Sequence, residues 1–314
     1  MAEIAYLQLT RVCNQTCRFC SNPETGHTIP LRRAKDWIDR FHERGYAGLI
    51  LTGGEPTLHP DLAKIIRHAR RRGIPPRMIT NGQRAGEPGF LESLHEAGLD
   101  HMHVSVYSHR PRVQGFLTGK ADSLACITRT LDEARRLGMR VDINTVISRY
   151  NANHLSGLVR WILKQWPGIH HFVWNNLDPM MNRAAKNTDT IPKLRDLEVE
   201  LFRAMSHLRA SDRTFRVERV PLCFMTDFAE CSTETRKIVK SEGRAIYFLD
   251  EKGIKVQDQK AFWSYGKAPR CSVCALEPVC AGLYEMDRYY SSDELCPVFV
   301  SREELVRRIV ASDG

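Results

Sequence analysis

Three closely spaced cysteines near the start of the chain are the residues that most directly suggest chemistry. Cys13, Cys17 and Cys20 lie in one short segment that follows an apolar stretch. Thiolates are the usual ligands of iron–sulfur clusters, and such a segment can place three of them around one cluster. Three ligands leave one iron open to bind a small molecule. A zinc site completed by a histidine and three unrelated thiols are the alternatives.

A second short motif ends the next strand-like segment. Gly53, Gly54, Glu55 and Pro56 close an apolar run that begins at Gly48. The glycines permit a close backbone approach, and the glutamate can accept a charge-assisted hydrogen bond. Two motifs in this order, each at the end of a consecutive strand, resemble the radical S-adenosylmethionine (SAM) superfamily.

The resemblance covers residues 4 to 180 and implies a reductive reaction. It implies a [4Fe-4S] cluster on the three cysteines, with SAM bound at the open iron and cleaved to a 5′-deoxyadenosyl radical that abstracts hydrogen from a substrate. The SAM-binding residues that it implies are Phe19, Gly53, Gly54, Glu55, Thr80, Asn81, Ser105 and Asn144. Most of them end expected strands, where parallel α/β sheets place their ligand sites. For Ser105 and Asn144, ordinary polar strand positions are the alternative.

The last third of the chain carries a second group of cysteines. Cys271, Cys274 and Cys280 have the spacing CxxCxxxxxC. This spacing resembles the auxiliary-cluster appendages called SPASM or twitch domains, although Tyr284 stands where the full SPASM pattern has a further cysteine. The resemblance therefore implies one auxiliary [4Fe-4S] cluster on these three cysteines.

The fourth ligand of this cluster is left open by the sequence. Cys223, Cys231 and Cys296 are the candidates, and we slightly favour Cys223. A cluster held by three thiolates, with an iron free for substrate, is one alternative. A zinc knuckle is the other, because zinc also suits CxxC pairs.

Alternating strand-like and helix-like segments must position these residues. Amphipathic helical patterns separate six strand patterns, expected at residues 4–10, 48–54, 77–82, 101–108, 140–147 and 170–177. Repeated βα units of this length indicate a parallel sheet with right-handed crossovers. The expected fold class is α/β, a partial (β/α)6 barrel of parallel strands, with an open doubly wound sheet as the alternative.

The pattern changes in the last third of the chain. Residues 245–250 and 254–258 flank Glu251-Lys252-Gly253 and predict a β-hairpin. We expect a radical SAM partial-barrel domain over residues 1–215. A small Cys-rich auxiliary-cluster domain that contains the hairpin is expected over residues 216–314.

Polar residues after the sixth strand are candidates for substrate binding. Arg183, in an expected loop over residues 180–192, could bind a carboxylate, and Asp178, just before that loop, could bind an amine or hydroxyl. The substrate candidates are Tyr107, Asn176, Asp178 and Arg183. A capped turn is the alternative, and no catalytic acid or base is assigned.

Composition restricts the class of protein. The 314 residues carry a net charge of +9 and ten cysteines. No apolar run approaches the ~18 residues of a membrane helix, and the chain opens without a signal-peptide pattern, so we expect a cytoplasmic protein without membrane contacts. Clustered cysteines there indicate metal or redox chemistry. No basic tract interleaved with aromatic residues indicates nucleic-acid binding.

The expected function is modification of a peptide or an amino-acid side chain, because relatives with such appendages often act on ribosomal peptides. A flavodoxin- or ferredoxin-type protein would donate the electron. The first strand begins at residue 4 and leaves no room for a peptide-recognition domain before it, so we expect a short peptide or a separate leader-peptide-binding protein. A small metabolite or cofactor precursor is the alternative substrate. A non-catalytic iron–sulfur electron carrier is the third reading, against which the GGEP motif argues.

Overall fold

The computed structural model describes residues 4–240, 245–250, 253–258 and 264–312. Within them, eight parallel strands form one curved sheet: β1 Ile4–Thr10, β2 Gly48–Gly53, β3 Pro76–Thr80, β4 His101–Ser105, β5 Arg140–Ile147, β6 His171–Asn176, β7 Thr214–Glu218 and β8 Ala245–Asp250. A ninth strand, β9 Gly253–Asp258, runs antiparallel to β8. The strand order is β7-β6-β5-β4-β3-β2-β1-β8-β9. The expected α/β partial barrel is confirmed.

Helices follow most of the parallel strands. They are α1 Leu31–Glu43, α2 Leu62–Arg71, α3 Phe90–Glu96, α4 Pro111–Thr118, α5 Ser123–Arg136, α6 Leu155–Gln165, α7 Asn182–Lys186, α8 Leu194–Ala210, α9 Thr233–Lys240 and α10 Arg302–Ala311. A second, two-stranded antiparallel sheet pairs β10 Tyr265–Gly266 with β11 Leu283–Tyr284 near the C-terminal cysteines. None of the helices in the described part of the chain combines the length and apolar character needed to cross a bilayer.

Apolar stripes on the helices cover the convex face of the sheet. In α1, Ala34, Trp37, Ile38 and Phe41 are buried at helical spacing. The Trp37 and Phe41 rings lie 4.6 and 4.7 Å from the ring of Tyr247 in β8. These aromatic contacts therefore hold β8 beside α1. Aromatic pairs of this kind contribute more stabilisation than the burial of their apolar area alone.

The predicted hairpin joins the main sheet. Its strands pair as expected, but β8 also pairs in parallel with β1, in the register Ala5 with Ala245. The turn residues Glu251 and Lys252 lie outside the described residues. The expected boundary at residue 215 falls inside β7. The division into two domains stays a prediction.

Side chains alternate between the two faces of each strand. On β4, Met102 and Val104 belong to the apolar core under the helices. His101, His103 and Ser105 therefore face the concave side of the sheet. Ser105 lies at the carboxyl end of β4, and the histidines lie progressively nearer its amino end.

Candidate metal and cofactor site

The first cysteine loop is held at the carboxyl ends of β1 and β2. Gly54 N–H donates to the Thr10 carbonyl at 2.6 Å, and Glu55 N–H donates to the Val12 carbonyl at 2.8 Å. On its other side the loop is bonded to α4, where Arg18 N–H donates to the Leu117 carbonyl at 2.9 Å. The two motifs predicted to act together are thus in direct contact.

Steric requirements at this contact explain the two glycines. A Cβ at Gly54 would lie 2.3 Å from the carbonyl oxygen of Val12, and one at Gly53 would lie 2.3 Å from that of Thr10. Gly53 also has φ = 139°, a conformation that other residues rarely adopt. No side chain fits between the end of β2 and the start of the cysteine loop.

The Glu55 carboxylate connects β2 to β3. Its Oε1 accepts hydrogen bonds from the Thr57 N–H (3.1 Å), the Thr57 hydroxyl (2.7 Å) and the Thr80 hydroxyl (2.8 Å), and its Oε2 accepts from the Asn81 N–H (2.7 Å). The residue is fully buried. Burial raises the pKa of Glu55, although these hydrogen bonds act in the opposite direction. In this conformation the carboxylate fixes the rim of the sheet, and its expected contact with SAM stays a prediction.

We expect Glu55→Gln to lower the free energy of unfolding by about 1–3 kcal/mol, because an amide NH2 group cannot accept a hydrogen bond. At least one buried donor on Thr57, Thr80 or Asn81 would then have no acceptor. Urea unfolding followed by circular dichroism measures this. Glu87→Gln is the control, since Glu87 is largely exposed. Equal free energies of unfolding for the two variants would contradict a stabilising role for the hydrogen bonds of Glu55.

The three N-terminal thiols differ in exposure but influence one another. Cys17 is buried and Cys13 is exposed. Burial raises the pKa of Cys17, and the neighbouring Cys20 and Cys13 raise it further. Although Cys13 reaches solvent, desolvation by the surrounding residues is the largest cause that raises its pKa, and its sulfur receives the Asn81 amide at 3.7 Å. Clustered thiols of this kind need a positive centre to hold them as thiolates.

The spacing of the thiols does not match that around a single bound zinc ion. Four-coordinate zinc at about 2.3 Å from each sulfur would bring the sulfurs to about 3.8 Å from one another. Among the described residues, no three cysteine sulfurs lie within 4.8 Å of one another. The three thiols at the rim are therefore not preset for a single zinc ion, and thiolates are the usual ligands of an iron–sulfur cluster.

Aromatic and amide side chains lie around this loop. Phe19 and Tyr107 are buried, with ring centroids 4.7 Å apart and nearly perpendicular. Ser105 hydrogen-bonds to Tyr107. Asn144 accepts a hydrogen bond from Asn175 at 2.8 Å. The predicted SAM-binding residues thus lie at one edge of the sheet, and their individual roles stay predictions.

The substrate candidates are engaged in contacts within the chain. Asp178 accepts a hydrogen bond from the Tyr284 hydroxyl at 3.1 Å. Asn176 is buried, and its amide donates to the Arg219 carbonyl at 3.3 Å. Arg183 pairs with Glu24. Whether these groups also meet a substrate stays a prediction.

Sequence reasoning missed how α7 supports the cysteine loop. The segment expected to be a loop over residues 180–192 contains this helix. Arg183 Nε donates to the Cys17 carbonyl at 2.9 Å, and the Ala184 N–H donates to the Cys20 carbonyl at 3.1 Å. A helix of five residues carries too little periodicity to be recognised from sequence.

The C-terminal cysteines line one small pocket. Its sulfur-bearing residues are Cys223, Cys271, Cys274, Cys280 and Cys296. The Val298 N–H points at the Cys274 sulfur (3.3 Å), and the Gly282 N–H points at the Cys280 sulfur (3.4 Å). Backbone donors to sulfur are a common feature of protein-bound iron–sulfur clusters, whose potentials they tune.

The candidates for the fourth ligand separate in space. Cys223 and Cys296 are in hydrogen-bond contact, and burial raises the pKa of Cys223 to about 12. Cys231 does not line the pocket. The charged groups that act on it are Glu230 and arginines, including Arg216.

A comparison of this chain with models of protein families finds one family that matches part of it. The model of the Radical SAM superfamily matches residues 7–162. This region contains the last residues of β1, the cysteine loop, the glycine motif and β2 to β5, together with most of α6.

Curated relatives match the same half of the chain. PqqA peptide cyclase of Xanthomonas campestris pv. campestris (strain B100) is 33% identical over 164 residues, which are 50% of this chain and 43% of that protein. PqqA peptide cyclase of Ruegeria pomeroyi (strain ATCC 700808 / DSM 15171 / DSS-3) is 32% identical over 163 residues, 49% of this chain and 42% of the relative. The match spans less than half the length of these relatives.

Solved structures share the fold over most of the chain. Native anSMEcpe with bound AdoMet superposes with a TM-score of 0.66 and 13% identity, over 98% of this chain and 95% of that chain. Streptococcus suis SuiB bound to S-adenosylmethionine superposes with a TM-score of 0.64 and 17% identity, over 90% and 73% respectively. At these identities the likeness concerns the fold.

Proposed function

We propose, on the premise that residues 7–162 belong to the radical SAM superfamily, that this chain is an enzyme that cleaves SAM reductively and modifies a peptide. The observation that carries the proposal is the direct contact between the cysteine loop and the glycine motif at the rim of the sheet. The cluster, when bound, would supply the electron that breaks the carbon–sulfur bond of SAM.

The residues of the chain would hold and orient these groups. Cys13, Cys17 and Cys20 would bind the cluster, and Asn81 would position the Cys13 sulfur. Glu55 would keep the rim in place, so that the backbone at the glycines meets the methionine end of SAM. Phe19, Thr80, Ser105 and Asn144 line the same edge and would contact its remaining parts.

Anaerobic incubation of the cluster-loaded protein with SAM and a chemical reductant tests the enzyme reading. We expect 5′-deoxyadenosine to form, and to form faster when a peptide substrate is present. Chromatography coupled to mass spectrometry measures the amount of 5′-deoxyadenosine formed with and without the peptide. If protein with fully loaded clusters releases no 5′-deoxyadenosine, the result would contradict the proposal and would favour an electron carrier.

A peptide is the proposed substrate because of the relatives. The name of the relative PqqA peptide cyclase refers to a peptide, and SuiB has been crystallised with its precursor peptide SuiA. A flavodoxin- or ferredoxin-type donor, a separate leader-peptide-binding protein and a cytoplasmic location complete the proposal. The net charge of +9 supports an acidic donor, and ten free cysteines support a reducing compartment.

We also propose one auxiliary [4Fe-4S] cluster in the C-terminal pocket. Cys271, Cys274 and Cys280 would bind it, with Cys223 as the fourth ligand. Cys223 is less exposed than Cys296 and lines the same pocket. Backbone N–H groups already point at the sulfurs of Cys274 and Cys280, an arrangement common around bound clusters.

Iron counting separates this cluster from a zinc knuckle. We expect about eight irons per reconstituted wild-type chain and about four in Cys280→Ser. The matched control is Cys231→Ser, which should keep about eight, because Cys231 lies outside the pocket. About four irons and one zinc in the wild type would contradict the auxiliary cluster.

A further inference from the structure

We propose that His101, His103 and Asp142 form a binding site for one divalent transition-metal ion, Zn2+ or a similar ion, separate from both cysteine groups. The site lies on the concave side of the sheet. His103 and Asp142 are direct neighbours in the register of β4 and β5, and Ser105 and Asn144 form the matching pair two residues further on. The site is therefore about 6–7 Å below the rim.

The three side chains converge on one carboxylate oxygen. His101 Nε2 is 2.7 Å from Asp142 Oδ2, and His103 Nδ1 is 3.5 Å from the same oxygen. The two imidazole rings are stacked, with centroids 4.9 Å apart. In the described part of the chain, these residues form the one group of at least three His, Cys, Asp or Glu whose ligand atoms all lie within 4.8 Å.

This donor set suits zinc and related ions. Imidazole nitrogens and a carboxylate are common zinc ligands, with bonds of about 2.0–2.1 Å. Tetrahedral geometry with such bonds separates neighbouring ligand atoms by about 3.3 Å. The contact from His103 to Asp142 already has nearly this length. The contact from His101 has to open by about 0.6 Å, at the cost of one hydrogen bond.

One ring nitrogen in the cluster lacks a partner. His103 Nε2 is buried and has no hydrogen-bond partner among the described residues. The nitrogen that faces Asp142 is Nδ1, so Nδ1 would bind the metal ion and Nε2 would keep its proton for a water molecule.

The charges around the site are of both signs, and they include Arg77 of β3, the register neighbour of His101. Asp142 is nearly inaccessible to solvent and supplies the negative charge. Arg140 Nε lies 3.5 Å from the other carboxylate oxygen, which orients the ligand oxygen towards the histidines. Its side chain is 62% exposed, so water screens its repulsion of a metal ion. His171 is bonded to the Thr214 hydroxyl at 2.8 Å and is not part of the ligand set.

Zinc loading of the cluster-loaded protein tests the site. After removal of loose metal, we expect the wild-type chain to retain about one zinc ion. Absorption at the zinc edge ignores iron, and should show nitrogen or oxygen neighbours at about 2.0–2.1 Å without sulfur at about 2.3 Å. A sulfur shell, or no retained zinc, would overturn the proposal.

Variants locate the bound ion. His103→Ala and Asp142→Asn should weaken zinc binding at least about 100-fold, because even outer partners of metal ligands are worth about 10–100-fold. His68→Ala is the matched control. His68 also contacts a carboxylate, that of Asp39 at 2.8 Å, but lacks a second histidine. Iron content and circular dichroism verify folding. Wild-type zinc affinity in folded His103→Ala would refute the assignment.

Discussion

Gly54→Ala is expected to lower the free energy of unfolding by about 3 kcal/mol or more and to reduce iron binding by the N-terminal cysteines. The added methyl group would lie 2.3 Å from the Val12 carbonyl oxygen and 2.8 Å from its carbon, so backbone has to move. Since Val12 directly precedes Cys13, the shift displaces the cysteine loop. Chemical unfolding and iron analysis of the reconstituted variant measure the two effects.

Gly168→Ala provides the matched control for this substitution. Among the described residues, no heavy atom beyond its two chain neighbours lies within 4 Å of the position that its Cβ would occupy. Its stability should stay within about 0.5 kcal/mol of the wild type, with unchanged iron content. If Gly54→Ala behaved like Gly168→Ala, the close approach of the two motifs would be wrong.

Cys17→Ser is expected to remove the N-terminal cluster and all SAM cleavage. Cys17 is the most buried of the three thiols, and oxygen replaces sulfur without a large change in volume. Iron should fall by about four per chain, and 5′-deoxyadenosine should fall to the level of cluster-free protein. Anaerobic iron analysis and product chromatography measure this.

Cys126→Ser is the control for the loss of a thiol. Cys126 is a buried cysteine of α5 whose sulfur receives the Arg129 guanidinium at 3.2 Å. This variant should keep its iron and its activity. Full activity of Cys17→Ser, by contrast, would remove the N-terminal cluster from the mechanism.

Features encoded locally were predictable. The expected strand at residues 140–147 coincides with β5, and the buried face of α1 follows from the spacing of Trp37, Ile38 and Phe41. The two motifs were predicted to lie at one rim because consecutive parallel strands end on the same side. Their direct hydrogen bonds are consistent with that argument.

Features that depend on pairing between distant residues were not predictable. Nothing in the local pattern of residues 245–250 indicates whether they extend the main sheet or stay in a hairpin. The contact of Asp142 with two histidines depends on the register of β4 and β5, which periodicity leaves undetermined. The engagement of Asp178 by Tyr284 depends on how the C-terminal segment folds back.

The pairing of β1 with β8 has a consequence for synthesis on the ribosome. Ala5 and Ala245 are partners, so Ala245 is synthesised 240 residues after Ala5. At about 5–20 residues per second, β1 waits roughly 12–48 s for this neighbour. During that interval one edge of the growing sheet has unpaired backbone groups, with which a strand of another chain could pair. The nascent protein therefore passes through a stage in which a chaperone would protect it most.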